Sequence, residues 1–133
     1  TKMPITSSPE VLPRNASAYI NAAASYNVQT LSGSSAGTYT VNLETAPFVR
    51  VVNPAGNITL SLTGLSTSRG HVAFVEVVGR GTRTVTIQSA SGTVYWDGGS
   101  APTLASGTAR SLLMFWSPNG TDFYGSMHFA NLA

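Results

Sequence analysis

A chain of 133 residues is long enough for one domain with a buried core, and the absence of cysteine excludes disulfides, thiol catalysis and cysteine-ligated metal sites. Only 9% of the residues are charged, against about 25% in ordinary soluble domains, and a net charge of +2 is too small to indicate a nucleic-acid partner. Free monomers usually keep charged side chains on their surface and along their sheet edges. The composition therefore favours a chain that is docked against copies of itself, with a neutral, hydroxyl-rich monomer as the alternative.

The N-terminal segment, residues 1–25, carries prolines at positions 4, 9 and 13 among Ser, Thr and Asn. Proline lacks the backbone N–H that helices and sheets need, so we expect an extended arm here, with a short helix possible at 16–24. The arm is expected to wrap a neighbouring subunit, and a disordered tail is the alternative. The sequence opens without a signal-peptide pattern, and no apolar run approaches the roughly 20 residues of a membrane span, so no membrane contact is expected.

From Tyr26 onward, apolar and polar residues alternate with a period of two. The alternation covers Tyr26–Thr30, Thr38–Leu43, Asn57–Thr63 and Thr84–Gln88, and in the first of these Tyr26 and Val28 are expected on the buried face. Turn-rich loops separate the strands at spacings of about ten residues, and no internal repeat is convincing. The pattern predicts an all-β domain over residues 26–133: an antiparallel β-sandwich of about eight or nine strands, with a jelly roll as the first choice.

Two segments break the alternation, Phe48–Val52 and Val72–Val78, and are apolar on both faces apart from Arg50 and Glu76. Such strands lie in the middle of a sheet whose outer face is covered, here by the arm or by another subunit. A charge buried alone is costly, so Arg50 and Glu76 are predicted to pair across strands or between subunits. The candidate subunit interface consists of Phe48, Arg50, Val52, Phe74, Glu76 and Val78.

The C-terminal third contains both tryptophans and a predicted hairpin, in which Arg110–Ser117 and Asp122–Phe129 flank the turn at 118–120. Aromatic side chains beside a glycine-rich loop are able to stack on sugar rings. The candidate recognition loop therefore consists of Tyr95, Trp96, Asp97 and Tyr124. The alternative, which we favour, is that these aromatic side chains belong to the core of the sandwich, since Trp is highly buried on average.

No enzymatic activity, cofactor or metal site is predicted. Residues 33–37 match the G-x-S-x-G pattern with Ser35 as the nucleophile, but that motif works only where a helix follows the serine. The only histidines, His71 and His128, are expected near strand ends as hydrogen-bonding groups rather than metal ligands. Asp97 and Asp122 are conceivable glycosidase carboxylates, but both lie where turns use aspartate.

A tryptophan, a Gly-Gly pair, an Ala-Pro-Thr-Leu segment, a further glycine and an aromatic hairpin closed by Asn-Gly-Thr succeed one another in this region. In this order they resemble a C-terminal β-module that recurs in bacteriophage tail-fibre and virion-surface proteins. The resemblance covers roughly residues 47–129 and departs at Arg110, where related modules often carry an acidic residue. The matching residues are Trp96, Gly98, Gly99, Ala101, Pro102, Thr103, Leu104, Gly107, Asn119, Gly120, Thr121, Phe123, Tyr124 and Gly125.

The resemblance implies a structural protein of the virion surface. Combined with the low charge, it leads us to expect a homotrimeric capsid decoration (cement) protein whose partners are its own copies and the phage major capsid protein. It is expected on the capsid exterior after synthesis in the host cytoplasm. A short chain favours this over a fibre, which normally has a long shaft ahead of such a module. The alternative is the tip domain of a tail fibre or spike that binds host glycan. A third hypothesis, a hydrolase, requires Ser35 or Asp97 to act in turnover.

Overall fold

The computed structural model describes residues 26–133, so the predicted N-terminal arm, residues 1–25, lies outside the described part of the chain. The described residues form nine strands in two sheets, which confirms the all-β prediction and the number of strands. A single turn of 3-10 helix, Asp97–Gly99, follows the seventh strand. In chain order the strands are β1 (Val28–Ser32), β2 (Gly37–Asn42), β3 (Phe48–Val52), β4 (Ile58–Thr63), β5 (His71–Val78), β6 (Val85–Ser89), β7 (Val94–Trp96), β8 (Arg110–Ser117) and β9 (Phe123–Leu132).

The first six strands alternate between the two sheets and form three coils of a two-faced β-solenoid. One sheet has six strands in the order β1-β3-β5-β8-β9-β7, and the other has three in the order β2-β4-β6. Pairing is parallel from β1 to β3 to β5 and from β2 to β4 to β6. Val28 lies beside Phe48 and Phe48 lies beside Phe74, so that successive coils are 20 and 26 residues long.

The predicted antiparallel pairing is therefore wrong for five of the seven strand pairs, and the structure does not show a jelly roll. Among the described strands, only β5–β8 and β8–β9 pair in the antiparallel sense. The physical reason for the error is that alternation has the same period in parallel and antiparallel strands. The coils repeat in backbone geometry without a repeat in sequence, because the loops that join them differ in length and the spacing along the chain is unequal.

One corner of the solenoid repeats the same backbone conformation in each coil. Gly33, Asn53 and Gly79, which come directly after β1, β3 and β5, have φ values of +63°, +45° and +66°. Each of their N–H groups donates to a carbonyl farther along the stack, those of Val52, Val78 and Ala109 respectively. Glycine and asparagine adopt this left-handed conformation at the lowest cost, and this explains why these residue types stand at the corner.

The predicted hairpin is confirmed as β8 and β9, joined by the turn at residues 118–120. The side chain of Asn119 organises this turn, because its Oδ1 accepts hydrogen bonds from the backbone N–H groups of Thr121 and Asp122. The hairpin extends the six-stranded sheet beyond the coils. β7 then pairs in parallel with β9 at the edge of that sheet.

The core lies between the two sheets and consists of one cluster of apolar side chains. Its side chains are at most 8% exposed. Each fully buried aliphatic or aromatic side chain contributes about 1.5–3 kcal/mol to folding. The core consists of Val41, Leu43, Val49, Val51, Ile58, Leu60, Leu62, Ala73, Val75, Val77, Ile87, Leu113, Phe115 and Phe123.

The face of β1 that packs against the core is opposite to the predicted one. Gln29 and Leu31 pair with the buried Val49 and Val51, whereas Val28 is half exposed on the outer face. The Gln29 amide donates to the carbonyls of Asn42 and Ala46, so its inward position satisfies a polar group. The prediction that Tyr26 and Val28 are buried is thus wrong.

Candidate functional site: the outer face of the six-stranded sheet

The two outer faces of the solenoid differ sharply in chemistry. On the three-stranded sheet, the side chains between the buried positions are hydroxyl and amide groups: Thr38, Thr40, Thr59, Ser61, Thr63, Thr86 and Gln88. On the six-stranded sheet, the corresponding positions are mostly aliphatic and aromatic. We call this second surface the apolar face.

All nine large hydrophobic side chains that are exposed among the described residues belong to the apolar face. They are between 37% and 54% exposed. Strand register places eight of them on the side opposite the core, and Tyr26, which precedes β1, is placed there by its ring contact with Phe48. The nine are Tyr26, Val28, Val72, Tyr95, Met114, Trp116, Tyr124, Phe129 and Leu132. Exposed apolar residues scattered singly are ordinary, whereas their concentration on one face is typical of binding surfaces.

Aromatic contacts run along both ends of this face. At the first end, the Tyr26 ring lies 5.4 Å from Phe48, and Phe48 lies 5.1 Å from Phe74 in an edge-to-face arrangement. At the opposite edge, a row crosses β8, β9 and β7: Trp116 lies 5.2 Å from Tyr124, which lies 5.9 Å from Tyr95. These distances fall within the range of favourable ring pairs.

A charged cluster lies in the middle of the apolar face. Glu76 of β5 accepts a hydrogen bond from Nε of Arg50 at 2.5 Å, and its other oxygen lies 3.5 Å from Nη1 of Arg110. The Glu76 side chain is 22% exposed, while the two arginine side chains are 44% and 47% exposed. The predicted pairing of Arg50 with Glu76 is confirmed as a cross-strand contact within one chain. Two guanidinium groups share one carboxylate, so the cluster is positive.

A groove passes over this cluster. Its volume is about 380 Å³, and its walls are apolar: Val28, Phe48, Phe74, Leu112 and Phe129, with His128 at one side. A larger depression of about 900 Å³ adjoins it where β3 and β5 begin, since both are lined by Phe48 and Phe74. The apolar face is thus indented rather than flat. Arg50 and Glu76 of the charged cluster line the groove, and Arg110 lies beside it through its contact with Glu76.

The six residues of the candidate subunit interface lie together on the apolar face. Three of them alternate along β3 and three along β5, and register pairs Phe48 with Phe74, Arg50 with Glu76, and Val52 with Val78. Their role in subunit contact stays a prediction. Their shared orientation is a consequence of the parallel register.

The candidate recognition loop is only partly assembled. Tyr95 and Tyr124 are exposed on the apolar face, but Trp96 points to the other side and packs edge-on against Phe115 at a ring distance of 5.4 Å. Gly125 makes room for both rings, since a Cβ there would lie 2.7 Å from Phe115 and 2.8 Å from Trp96. Asp97 begins the 3-10 turn beyond β7.

Sequence reasoning missed Trp116, the exposed tryptophan of the apolar face. The signal was present in the spacing, because residues two apart in a strand share a face. With Leu113 and Phe115 in the core, Met114 and Trp116 therefore lie on the opposite, exposed face. An aromatic-rich strand without polar alternation hides that signal. Met114 was missed for the same reason.

The residues considered for catalysis are dispersed over the fold. Ser35 lies in the loop between β1 and β2, where a strand follows instead of a helix. His71 opens β5 as predicted, and its Nε2 lies 2.7 Å from the Ser66 carbonyl. His128 lies inside β9 rather than near its end, with its ring 4.3 Å from that of Phe129. Asp122 accepts hydrogen bonds within the hairpin turn region.

Within residues 26–133, no group of three or more His, Cys, Asp or Glu side chains is placed to hold a metal ion. No helix in the same range is long and apolar enough to cross a membrane.

No family model, curated protein or solved structure matches the chain. The likeness of residues 47–129 to phage modules therefore stands as a resemblance of motifs, and the apolar face is the main structural feature that points to a function.

Proposed function

We propose that this chain is a structural protein of a phage virion surface, which acts as a homotrimer and buries the apolar face between copies. The observation that carries the proposal is the gathering of all nine exposed large hydrophobic side chains of the described residues on one face. A surface of this kind loses its contact with water when a second copy covers it, and that loss drives association.

The size of the apolar face supports a stable interface. Nine side chains, each about half exposed and with full areas of roughly 150–250 Å² for the aromatic ones, present on the order of 700 Å². This exceeds the roughly 300–600 Å² of the largest patch on an ordinary monomer and approaches the ~800 Å² that each partner buries in a standard interface. At about 25 cal/mol per Å², its burial is worth more than 10 kcal/mol before the costs of association are subtracted.

The charged cluster favours a ring over a face-to-face dimer. A two-fold axis through the middle of the apolar face would bring Arg50 and Arg110 of one copy against the same residues of the other. Like charges facing each other at a buried contact cost several kcal/mol. In a cyclic trimer each apolar face meets a different surface of its neighbour, which avoids this repulsion.

The placement on a capsid rests on the resemblance to phage modules. A trimer attached at three points gains avidity, so that weak contacts with the major capsid protein suffice for stable decoration. The hydroxyl-rich outer face of the three-stranded sheet, with its many neutral hydrogen-bonding groups, is suited to solvent. In this arrangement the protein reinforces the shell from outside and carries out no chemistry.

The test is the mass of the purified full-length chain, and then its binding to particles. Light scattering at micromolar concentration is expected to give three times the 13.8 kDa of one chain. Co-sedimentation with capsids that lack the protein is then expected to show saturable binding. A stable monomer at that concentration refutes assembly through the apolar face. A trimer that does not co-sediment with capsids refutes the decoration role.

A second function, glycan recognition at the tip of a fibre or spike, is favoured by the row of Trp116, Tyr124 and Tyr95. Such a row offers adjacent flat apolar surfaces with polar edges, on which successive sugar rings can stack. On a glycan array, Trp116→Ala is expected to abolish binding under this hypothesis. Met114→Ala, on the same face but outside the row, is the matched control and is expected to retain it. An array without signal for the wild-type chain eliminates this function.

A further inference from the structure

The charged cluster of the apolar face has hydrogen-bonding capacity that the described residues leave unused. Arg50 donates through Nε and Arg110 through Nη1, both to Glu76, and neither has another acceptor within residues 26–133. Each guanidinium carries further N–H donors in a fixed fork. Arg80 provides a contrast inside the same chain, because its Nε, Nη1 and Nη2 all donate to backbone carbonyls.

This imbalance restricts the kind of occupant that can cover the groove. An occupant that excludes water from the cluster removes the hydration of two guanidinium groups that share one carboxylate. Burying an uncompensated charge is costly, whereas a carboxylate placed against an arginine fork forms short, strong hydrogen bonds. The groove walls are aliphatic and aromatic. A suitable occupant therefore combines an acidic side chain with adjacent aliphatic ones.

The chain itself contains few carboxylates that meet this requirement. Of its five acidic residues, Glu76 belongs to the cluster and Asp122 is held in the hairpin turn by Thr93 and Asn119. Glu44 lies 3.9 Å from the Arg69 guanidinium.

The two remaining acidic residues, Asp97 and Glu10, differ in their C-terminal neighbours. Asp97 precedes two glycines, which offer no side chain to an apolar groove. Glu10 precedes Val11 and Leu12. The segment Glu10-Val11-Leu12 thus matches the groove in both charge and apolar character.

We propose that Glu10-Val11-Leu12 of a neighbouring copy occupies the groove, with the Glu10 carboxylate on Arg50 and Arg110 and the aliphatic side chains against Phe74 and Leu112. The inference rests on the proposed assembly and names the contact that completes it. Glu10 precedes Tyr26 by sixteen residues, and a chain of that length spans at most roughly 55 Å when extended.

Cysteine cross-linking in the full-length chain tests the contact directly, because the natural sequence has no cysteine. The double variant Val11→Cys/Leu112→Cys places one thiol in the segment and one in the groove wall. Mild oxidation is expected to join chains into covalent dimers and trimers on a non-reducing gel. The matched control, Val11→Cys/Thr86→Cys, places the second thiol on the hydroxyl-rich face and is expected to give no such product.

Charge-removing variants test the ionic part of the contact without relying on disulfide geometry. Glu10→Gln and Arg110→Gln are each expected to weaken assembly about 10- to 100-fold, as loss of a charged hydrogen bond does. The double variant is expected to be little worse than Glu10→Gln alone, because Glu10→Gln already removes the carboxylate that Arg110 binds. Glu44→Gln is the matched acidic control and is expected to leave assembly unchanged.

The outcomes separate this inference from the assembly on which it rests. A trimer that shows neither chain-to-chain cross-linking through residue 112 nor weakening by Glu10→Gln overturns the occupant and leaves the proposed function standing. Cross-linking that occurs only within single chains overturns the assignment to a neighbouring copy. A wild-type chain that is monomeric by light scattering removes the proposed assembly itself, and the inference with it.

Discussion

Met114→Lys tests directly whether the apolar face is buried in the working protein. Met114 lies on β8, 37% exposed, between Phe74 of β5 and Ser126 of β9. In a free chain, a lysine at this position keeps its ammonium group in water because its stem is long and flexible. The cost to folding is therefore expected to stay within about 0.5 kcal/mol, as for ordinary surface substitutions.

The same substitution is expected to weaken association strongly, because a second copy covers the lysine side chain. Its ammonium group is then enclosed on a face whose charged cluster is already positive, since Arg50 and Arg110 share the single carboxylate of Glu76. An uncompensated buried charge costs about 3–5 kcal/mol. With a factor of ten for each 1.4 kcal/mol, association at each interface is expected to weaken roughly a hundred- to several thousandfold.

Sedimentation velocity over a concentration series measures this effect, and thermal unfolding checks that the fold is retained. Thr86→Lys, on the outer face of the three-stranded sheet, is the matched control and is expected to assemble as the wild type does. Met114→Lys is expected to be a folded monomer at concentrations where the control is a trimer. The reasoning is refuted if the two variants assemble equally well, or if only Thr86→Lys dissociates.

Three predictions concern the stability of the solenoid and are measured by denaturant unfolding. Arg80→Lys removes the planar fork that donates to three carbonyls and is expected to cost about 1–3 kcal/mol; an unchanged midpoint contradicts the proposed clamp. Gly79→Ala and Gly33→Ala each place a side chain on left-handed backbone and are each expected to cost roughly 1–2 kcal/mol, since the Asn53 Oδ1 near Gly79 is the end of a side chain that can rotate aside; a cost near zero at either position contradicts the backbone argument. Val51→Ala in the core is expected to cost about 2–3 kcal/mol, and a loss below 1 kcal/mol argues against close packing there.

Parts of the candidate site could be predicted from residue patterns alone. Phe48–Val52 and Val72–Val78 were apolar on both faces, and that was enough to place them in the middle of a sheet and to pair Arg50 with Glu76. The physical basis is simple: a charge inside an apolar strand needs a partner, and the chain offers few.

Other parts depended on contacts between residues distant in the sequence. Trp96 and Trp116 are both flanked by aromatic neighbours, yet one packs inward on Phe115 and the other is exposed. Their orientation is decided by the strands beside them. Gly125 leaves space for the Trp96 ring, whereas Trp116 shares a face with Met114 because Phe115 occupies the core. Residues far apart in the chain create these environments, so the local pattern does not distinguish them.

The sequence by itself determined the all-β class, the positions of most strands and the hairpin at Pro118–Gly120, because alternation and turn chemistry act over a few neighbouring residues. Only the tertiary structure decided that the coils stack in parallel, that β1 turns Leu31 inward, and that the exposed hydrophobic side chains collect on one sheet face. The physical reason is that a strand has the same period whichever neighbour it pairs with. Direction and register come from the burial of the whole core, which only the folded chain provides.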